Sequence, residues 1–362
     1  MVHRITLIPG DGIGPEVTDS GRLVVEATGV EVRWDVQDIG LRAWEARDEV
    51  VPSSAISSIR DNGVALKGPI ETPADGGVRN ANVALRQELD LFANVRPCRR
   101  YPGVPSVYGD VDLVVVRENI EDTYTGVEFE VGTVEVERLI AFIEEMTDVR
   151  IRRDSGISVK AISQRGSERI VRFAFEEAVR RGRQMVTAGH KANIMKFSDG
   201  LFLDVARRVA AQYPDVAFDD RIIDALCMQL VRTPERFEVL VLPNLYGDIV
   251  SELGAGLIGG PGMAPGGHLG EGVAVFEATH GTAPRMAGQD RANPAGVMLS
   301  ASMMLRHLGE RDAGDRLEEA IAAVLADGRD VTPDLRAAGD DRATVGTRRM
   351  AEAVAERLRD AG

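Results

Sequence analysis

The sequence predicts an α/β protein built on a largely parallel sheet. Three observations carry that expectation. Ser158–Ile162 reads as a strand, Ser167–Arg181 as a helix, Gln184–Ala188 as a strand, Gly200–Tyr213 as a helix and Val239–Leu242 as a strand, the alternation of parallel crossovers. The chain also opens on a strand, a turn and a helix. Its apolar run Ile5–Pro9 ends at Gly10-Asp11-Gly12-Ile13-Gly14-Pro15, and Pro15 suits a first helical turn leading into Glu16. At 362 residues, 44% of them apolar, the chain can bury a large core and is long enough for two domains.

The remaining elements follow the same logic. Val32–Val36 alternates apolar and polar residues as a strand does. Ser54–Asn62 reads as a helix and Val64–Leu66 as a buried strand, and Lys67 opens a Gly/Pro-rich turn that becomes helical near Val78. Asp112–Val116 is β-rich and leads into Arg117. Phe129–Arg138 alternates Val with Glu, as a half-exposed ribbon would. A short strand at Val273–Phe276 and two helices, Gly296–Leu308 and Asp315–Asp327, complete the pattern. No internal repeat or low-complexity linker occurs, so composition does not mark a domain boundary.

Charge and cysteine content exclude several function classes. Lys plus Arg number 43 against 57 Asp plus Glu, a formal charge of −14, which argues against general nucleic-acid binding but not against a local pocket for a small anion. Cys98 and Cys227, far apart and in no CxxC arrangement, fit a reducing cytoplasm rather than a disulfide framework or a zinc ribbon. The N-terminus runs straight into a strand, without the apolar stretch of a signal peptide. The longest uncharged run, Leu253–Gly270, is broken by glycines and by Pro261 and Pro265, so it is not a membrane span.

Chemistry gathers in a few places. Arg79, Asn82 and Arg86 lie three and four residues apart on one helical stripe, and Arg96 follows in an apolar, strand-like context. Guanidinium forks suit carboxylate or phosphate. The alternative is a solvated helix face with an Arg86–Asp90 pair. Gly254-Ala255-Gly256-Leu257-Ile258-Gly259 matches GxGxxG but lacks a strand before it and a helix after it, so it reads as a close-packed backbone instead of a dinucleotide fingerprint. Asp248 and Glu252, four apart in a helical pattern, share a face and offer oxygen ligands to Mg²⁺ or Mn²⁺, with Asp224 as a possible third; a helix N-terminus also favours acids through its dipole. Lys191, at the end of a strand, is a candidate base or a surface charge. Tyr124, in a polar loop, is a candidate proton donor or a half-buried aromatic. Arg117 ends an apolar strand, an unusual place for a charge and a hint of an anion contact. In His280-Gly281-Thr282-Ala283-Pro284, Gly281 allows close approach of a ligand to the backbone.

Together these segments resemble the isocitrate/isopropylmalate dehydrogenase family of metal-dependent decarboxylating dehydrogenases. The resemblance runs from IPGDGIGPE through KGP, LDLFANVRP, RENIEDTYTG, HKANIMK, NLYGDIVSE and EATHGTAP to AGQDRANP, roughly residues 4–335. It implies a two-domain fold that is not a Rossmann domain. Residues 1–98 and 254–362 would form the larger, cofactor-side domain, and 99–253 the smaller one, with a clasp near 129–138 at the interface of a homodimer sharing its active sites. It further implies that Arg86, Arg96 and Arg117 clamp the substrate's carboxylates and that Tyr124 protonates the enol carbon after CO₂ leaves. Lys191, from the partner subunit, would help deprotonate the hydroxyl. Asp224, also from the partner, would bind the metal with Asp248 and Glu252, although the family usually has Asp in place of Glu252. His280, Gly281, Thr282, Ala283, Pro284 and Asn293 would hold the adenosine half of the cofactor.

The substrate is read at one helix turn. Isopropylmalate enzymes carry an acidic residue and leucines there; this chain has Arg79, Asn80 and Asn82, with Thr72 in the preceding turn, which resembles isocitrate dehydrogenase. Asn80 stands where those enzymes usually have serine, leaving homoisocitrate, isopropylmalate or a phosphonate analogue as alternatives. Arg285 occupies the position where NAD-using members usually have Asp and would pair with a 2′-phosphate, which favours NADP over NAD. Thr332-Pro333-Asp334-Leu335 resembles the NAD type. A non-catalytic regulatory subunit would lack Lys191 or Tyr124, and both are present.

Overall fold

The structure is a computed structural model that describes residues 2–73, 80–337 and 339–360. In chain order, β1 (His3–Ile8) leads into α1 (Gly14–Ala27), with Pro15 in its first turn, then β2 (Val32–Val36), α2 (Leu41–Arg47), α3 (Ser53–Asn62) and β3 (Val64–Lys67). Next come α4 (Ala81–Glu88), β4 (Ala93–Arg99) and β5 (Asp112–Glu118). β6 (Glu128–Phe129), α5 (Val134–Thr147) and β7 (Ile157–Ser158) form an excursion, closed by antiparallel pairing of β6 with β7. The chain then alternates α6 (Gln164–Arg180), β8 (Met185–His190), α7 (Asp199–Ala210), β9 (Ala217–Ile222), α8 (Ile223–Arg232), β10 (Val239–Leu242) and α9 (Asn244–Leu257). It finishes with β11 (Pro265–Leu269), β12 (Ala274–Ala278), α10 (Ala295–His307), α11 (Arg311–Asp327) and α12 (Thr347–Asp360).

Ten strands make one sheet, in the order β2-β1-β3-β12-β11-β4-β5-β10-β8-β9. The flanks are parallel, as the alternating pattern requires. The centre, β12-β11-β4-β5, is antiparallel. Strands from both ends of the chain interleave there, because β12 pairs with β3 in the register Ala274↔Val64 to Glu277↔Lys67. β4 and β5 carry alternating side chains, and both faces are covered. Val95, Val114 and Val116 pack with Ile170, Phe175 and Phe202 of α6 and α7. Cys98, Leu113 and Val115 pack with Leu226 and Val250 of α8 and α9.

Two readings need correction. The expected ribbon at Phe129–Arg138 is a strand only at Glu128–Phe129; Thr133 caps the next helix with its hydroxyl, and Val134 onward is α5. The alternating Val and Glu therefore lie on a helix, where Val136 and Ile140, a turn apart, are the buried positions. Likewise Ser158–Ile162 is strand only at Ile157–Ser158 and belongs to the excursion, outside the main sheet.

The GxGxxG segment is the last turn of α9 and the bend after it, not a phosphate loop. A Cβ on Gly254 would sit 2.5 Å from Cys98 Sγ on β4, so glycine here sets the distance between helix and sheet. We expect Gly254→Ala to cost about 1–3 kcal/mol in urea denaturation, and Cys98→Ala in the same chain to recover most of it. Simple addition of the two single effects would place the strain elsewhere.

Candidate active site

The sheet register assembles the site. Because side chains alternate across a strand, Arg96, paired with Val115, and Arg117, paired with Asn94, lie on one face. His268 pairs with Asn94 and so joins them. Glu277, opposite Gly266, and Lys67, opposite Glu277, extend the row. One polar stripe therefore crosses five adjacent strands of the otherwise apolar sheet.

α9 lies over this stripe. Its N-terminus is anchored by the Asp122 carboxylate, which accepts from Leu245 N–H at 3.1 Å. A Cβ on Gly247 would sit 2.5 Å from Arg117 Cγ, so a glycine is what lets the helix settle on the arginine. Asn244 Oδ1 accepts from Arg117 Nε at 3.0 Å and from Nη2 at 2.7 Å, and Asp248 takes Nη1. The Arg117 side chain is 1% exposed. Burial and the neighbouring Arg86 disfavour its charge, yet a guanidinium stays protonated at accessible pH and so requires Asp248. Arg96 donates to Ser251 Oγ at 2.7 Å and to Glu252 Oε1 at 3.3 Å. Asp248 thus belongs to both arginines, and Arg117 and Arg96 hold its carboxyl below the usual range against the opposing effect of burial.

Tyr124 closes the group. Its hydroxyl donates to Asp248 Oδ2, and the Arg117 guanidinium carbon sits 4.8 Å above its ring. Burial and the Asp248 carboxylate both raise the phenol's pKa, so it holds a proton at neutral pH.

Arg86 approaches from α4. Among the described residues no carboxylate lies within ion-pair distance of it; Asp90 pairs with Arg169 instead, at 2.6 Å. The solvated-face alternative, which needed an Arg86–Asp90 pair, is not what forms. Asn82 shares α4 with Arg86, whereas Arg79 lies outside the described residues. The helix expected near Val78 has its first turn at Ala81, because Asn80 is an extended N-cap whose Oδ1 accepts from Asn82 N–H and Val83 N–H. Thr72 Oγ1 accepts from Ala81 N–H at 2.9 Å. Asn80 and Thr72 therefore shape this helix start, leaving the Asn80 amide N–H groups and the Thr72 hydroxyl proton as remaining donors.

Sequence reasoning missed the supports behind the arginines. Lys67, 1% exposed, forms an ion pair with Glu277. His268 Nε2 lies 2.7 Å from Glu277 Oε1, and its Nδ1 lies 3.1 Å from Asn119 Nδ2, which also donates to Leu91 carbonyl at 2.8 Å. Asn119 can only donate there and Glu277 can only accept, so the ring is the neutral Nε2–H tautomer. The available signal was a lysine ending the buried strand Val64–Lys67, the same anomaly that marked Arg117. Asn94, buried opposite Arg117, has no partner for its amide atoms among the described residues.

Lys191 and Asp224 form an ion pair with each other, and the Asp224 side chain is 69% exposed. Asp199, at the start of α7, holds the lysine's backbone N–H at 2.7 Å and pairs with Lys160 at 3.0 Å. Among the described residues no three of His, Cys, Asp and Glu cluster as a metal site. The expected trio of Asp224, Asp248 and Glu252 is thus not assembled within one chain. Asp248 and Glu252 do share a face one turn apart on α9 and suit a hard cation by donor chemistry, each now accepting from arginine.

The loop expected to hold the cofactor follows β12. Nothing lies within 4 Å of a Cβ built on Gly281, and His280 Nε2 is buried without a partner among the described residues, so the loop offers open backbone and a spare ring nitrogen. Thr282 Oγ1 donates to Glu71, and Ala283 adopts a left-handed conformation before Pro284. The Asn293 amide donates to Asp334 at 2.9 Å, and its side-chain carbonyl accepts from Ala295 N–H at 2.9 Å at the start of α10. Arg285 makes no ion pair among the described residues.

The model of the isocitrate/isopropylmalate dehydrogenase family matches residues 4–354. The chain is 46% identical over 342 residues to the probable mitochondrial isocitrate dehydrogenase [NAD] subunit alpha of Caenorhabditis elegans, covering 93% of this chain and 89% of that protein. It is 43% identical over 329 residues to the chloroplastic 3-isopropylmalate dehydrogenase of Solanum tuberosum, covering 90% and 86%. Among solved structures, the isocitrate dehydrogenase of Methylococcus capsulatus superposes with a TM-score of 0.90 at 47% identity, covering 99% of both chains.

The buried His268 gives a pH signature. Burial, with Arg86 nearby, lowers it from 6.5 to about 3. Between these values the unfolded chain takes up a proton that the fold refuses, so stability falls as pH falls. Wild type and His268→Asn are expected to converge in urea denaturation below pH 6.5, by on the order of 1.4 kcal/mol per pH unit. Parallel profiles would mean that the ring is not held neutral.

Proposed function

Because the chain belongs to the isocitrate/isopropylmalate dehydrogenase family and is a decarboxylating dehydrogenase, we propose that it converts isocitrate to 2-oxoglutarate, using a nicotinamide dinucleotide and Mg²⁺ or Mn²⁺. The observation that carries this reading is Arg86: a guanidinium without a carboxylate partner among the described residues, facing the same site as Arg96 and Arg117. A substrate with several carboxylates would balance that charge. The identities do not separate isocitrate from isopropylmalate enzymes, so the choice rests on the N-terminus of α4. Asn80, Asn82 and the dipole at a helix start suit a polar or anionic third arm better than an isopropyl group. Homoisocitrate or a phosphonate analogue would use the same contacts.

In this reading Arg86, Arg96 and Arg117 bind and orient the carboxylates. Lys191 assists removal of the hydroxyl proton, and the Tyr124 phenol delivers a proton to carbon once CO₂ has left. Asp248 and Glu252, joined by Asp224 of a second copy, would hold the cation. When bound, that cation supplies the charge that acidifies the hydroxyl and steadies the enolate oxygen. The nicotinamide supplies the hydride acceptor, with its adenosine half at His280–Arg285. The exposure of Ile194, Phe197, Met228 and Ile249, next to Lys191 and on α8 and α9, supports a homodimer in which each site borrows Lys191 and Asp224. The excursion at 128–158 is assigned to the same interface, and the division into 1–98 with 254–362, and 99–253, to the two lobes. The unpaired Cys98 and Cys227 support a reducing, cytoplasmic setting.

Steady-state assays with isocitrate, homoisocitrate and 3-isopropylmalate test the substrate. Isocitrate should give the highest kcat/KM, and Tyr124→Phe and Lys191→Met should each lower kcat by roughly 10²–10⁴-fold. Good turnover of another malate derivative without isocitrate turnover would sink the assignment, and an inactive purified chain would favour the regulatory-subunit reading.

For the cofactor, the nematode relative is named for NAD, which gives no support to the preference for NADP drawn from Arg285. We take NAD as the acceptor. Arg285→Asp should then improve NAD use and weaken any NADP use, by roughly tenfold each; a wild-type preference for NADP would overturn this.

A further inference from the structure

The opposite face of the same central strands carries a second charged site. Where Arg96 and Arg117 face α9, the alternate positions Val95, Pro97, Arg99 and Asp112 point the other way. They floor a cleft of about 560 Å³, a size that accommodates a small ligand. Its walls are the C-terminal end of α6 and one stripe each of α10 and α11.

Six arginines, Arg99, Arg180, Arg181, Arg183, Arg306 and Arg311, line it against four carboxylates, in a chain whose formal charge is −14. Two of the carboxylates are each shared between two arginines, while Asp112 pairs with Arg183 and Asp315 with Arg306. Glu177 serves both Arg180 and Arg181, and Glu318 serves both Arg99, at 2.9 Å, and Arg306, at 2.7 Å. Arg311 has no carboxylate partner among the described residues. It also stands at the first position of α11, where the helix dipole disfavours a cation. Burial lowers the pKa of both Arg180 and Arg181, helped by Arg181 and Arg311 for the first and by Arg183 and Arg306 for the second. Positive charge is therefore concentrated beyond what the cleft's own acids balance. Beside it lies apolar surface from Leu299, Met303 and Phe276.

We propose that this rear cleft binds a small organic dianion, its charged groups at Arg180, Arg181 and Arg311 and its apolar body against α10 and the sheet. The site is separate from the reaction centre because the sheet lies between them, and it does not depend on which malate derivative is oxidised.

The probe is 1-naphthyl phosphate, titrated by its own fluorescence against the full-length protein. We expect saturable binding that persists with isocitrate and Mn²⁺ present, weakens as KCl is added, and exceeds that of inorganic phosphate, which has no apolar body. Arg311→Gln, an exposed position, should weaken it roughly tenfold while leaving isocitrate turnover unchanged. Adding Arg181→Gln should weaken it further, with circular dichroism confirming the fold. Absence of saturation at millimolar probe, displacement by isocitrate with Mn²⁺, or affinity unaltered in both variants would each overturn the proposal.

Discussion

The site depends on keeping a charge where water cannot reach it. Arg117 lies inside β5 with its side chain 1% exposed, and removing a guanidinium from water costs several kcal/mol unless its donors are met. Asn244, Asp248 and the ring of Tyr124 meet them. That requirement fixes much else: α9 must lie close on β5, residue 247 must lack a side chain, and the start of α9 must be pinned by Asp122. Asp248 then faces Arg96 as well, and the helix carries Glu252 to the same place.

The site's charges are largely paired with one another within the chain. Asp248 accepts from Arg117 and Tyr124, Glu252 from Arg96, and Asp224 from Lys191. On the function proposed above, binding would be an exchange of partners: a substrate carboxylate that takes an arginine would free an acidic oxygen, so anion and cation would favour one another's binding, with Arg86 as the contact already available. The row Lys67–Glu277–His268–Asn119 works on a different principle. Its members pair with one another, Asn119 Oδ1 alone lacking a partner among the described residues, and form a buried support whose charges bias Arg86.

Much of this was legible in the sequence, for reasons that differ by element. β2 is readable from its alternation of apolar and polar residues, β10 from a continuous apolar run that is buried throughout, and α9 because Gly247, Asp248 and Glu252 sit in a helical pattern. Arg117 announced itself as a charge in an apolar run. β11 did not: Pro265-Gly266-Gly267-His268-Leu269 has the composition of a loop, and only pairing with β4 and β12 on both sides makes it a strand. α5 was hidden because Val at alternating positions satisfies the strand period over a few residues, while its helical burial shows only at Val136 and Ile140. Asn80 and Asn293 carry polar signals that suit a ligand contact, and in the fold the side-chain oxygen of each accepts from a backbone N–H at a helix start. Side chains of this kind serve either purpose, and sequence spacing does not decide between them.

The interleaved sheet also constrains how the chain can be made. β3 finds one of its two neighbours in β1, close by in sequence, and the other in β12, about 200 residues further on. At ribosomal speeds of roughly 5–20 residues per second, the edge of β3 emerges some tens of seconds before its partner exists. During that interval Val64, Ala65 and Leu66 form an open apolar edge, able to pair with any strand that arrives. The topology that joins early and late strands in one sheet thus leaves the nascent protein with an open edge that the finished fold covers.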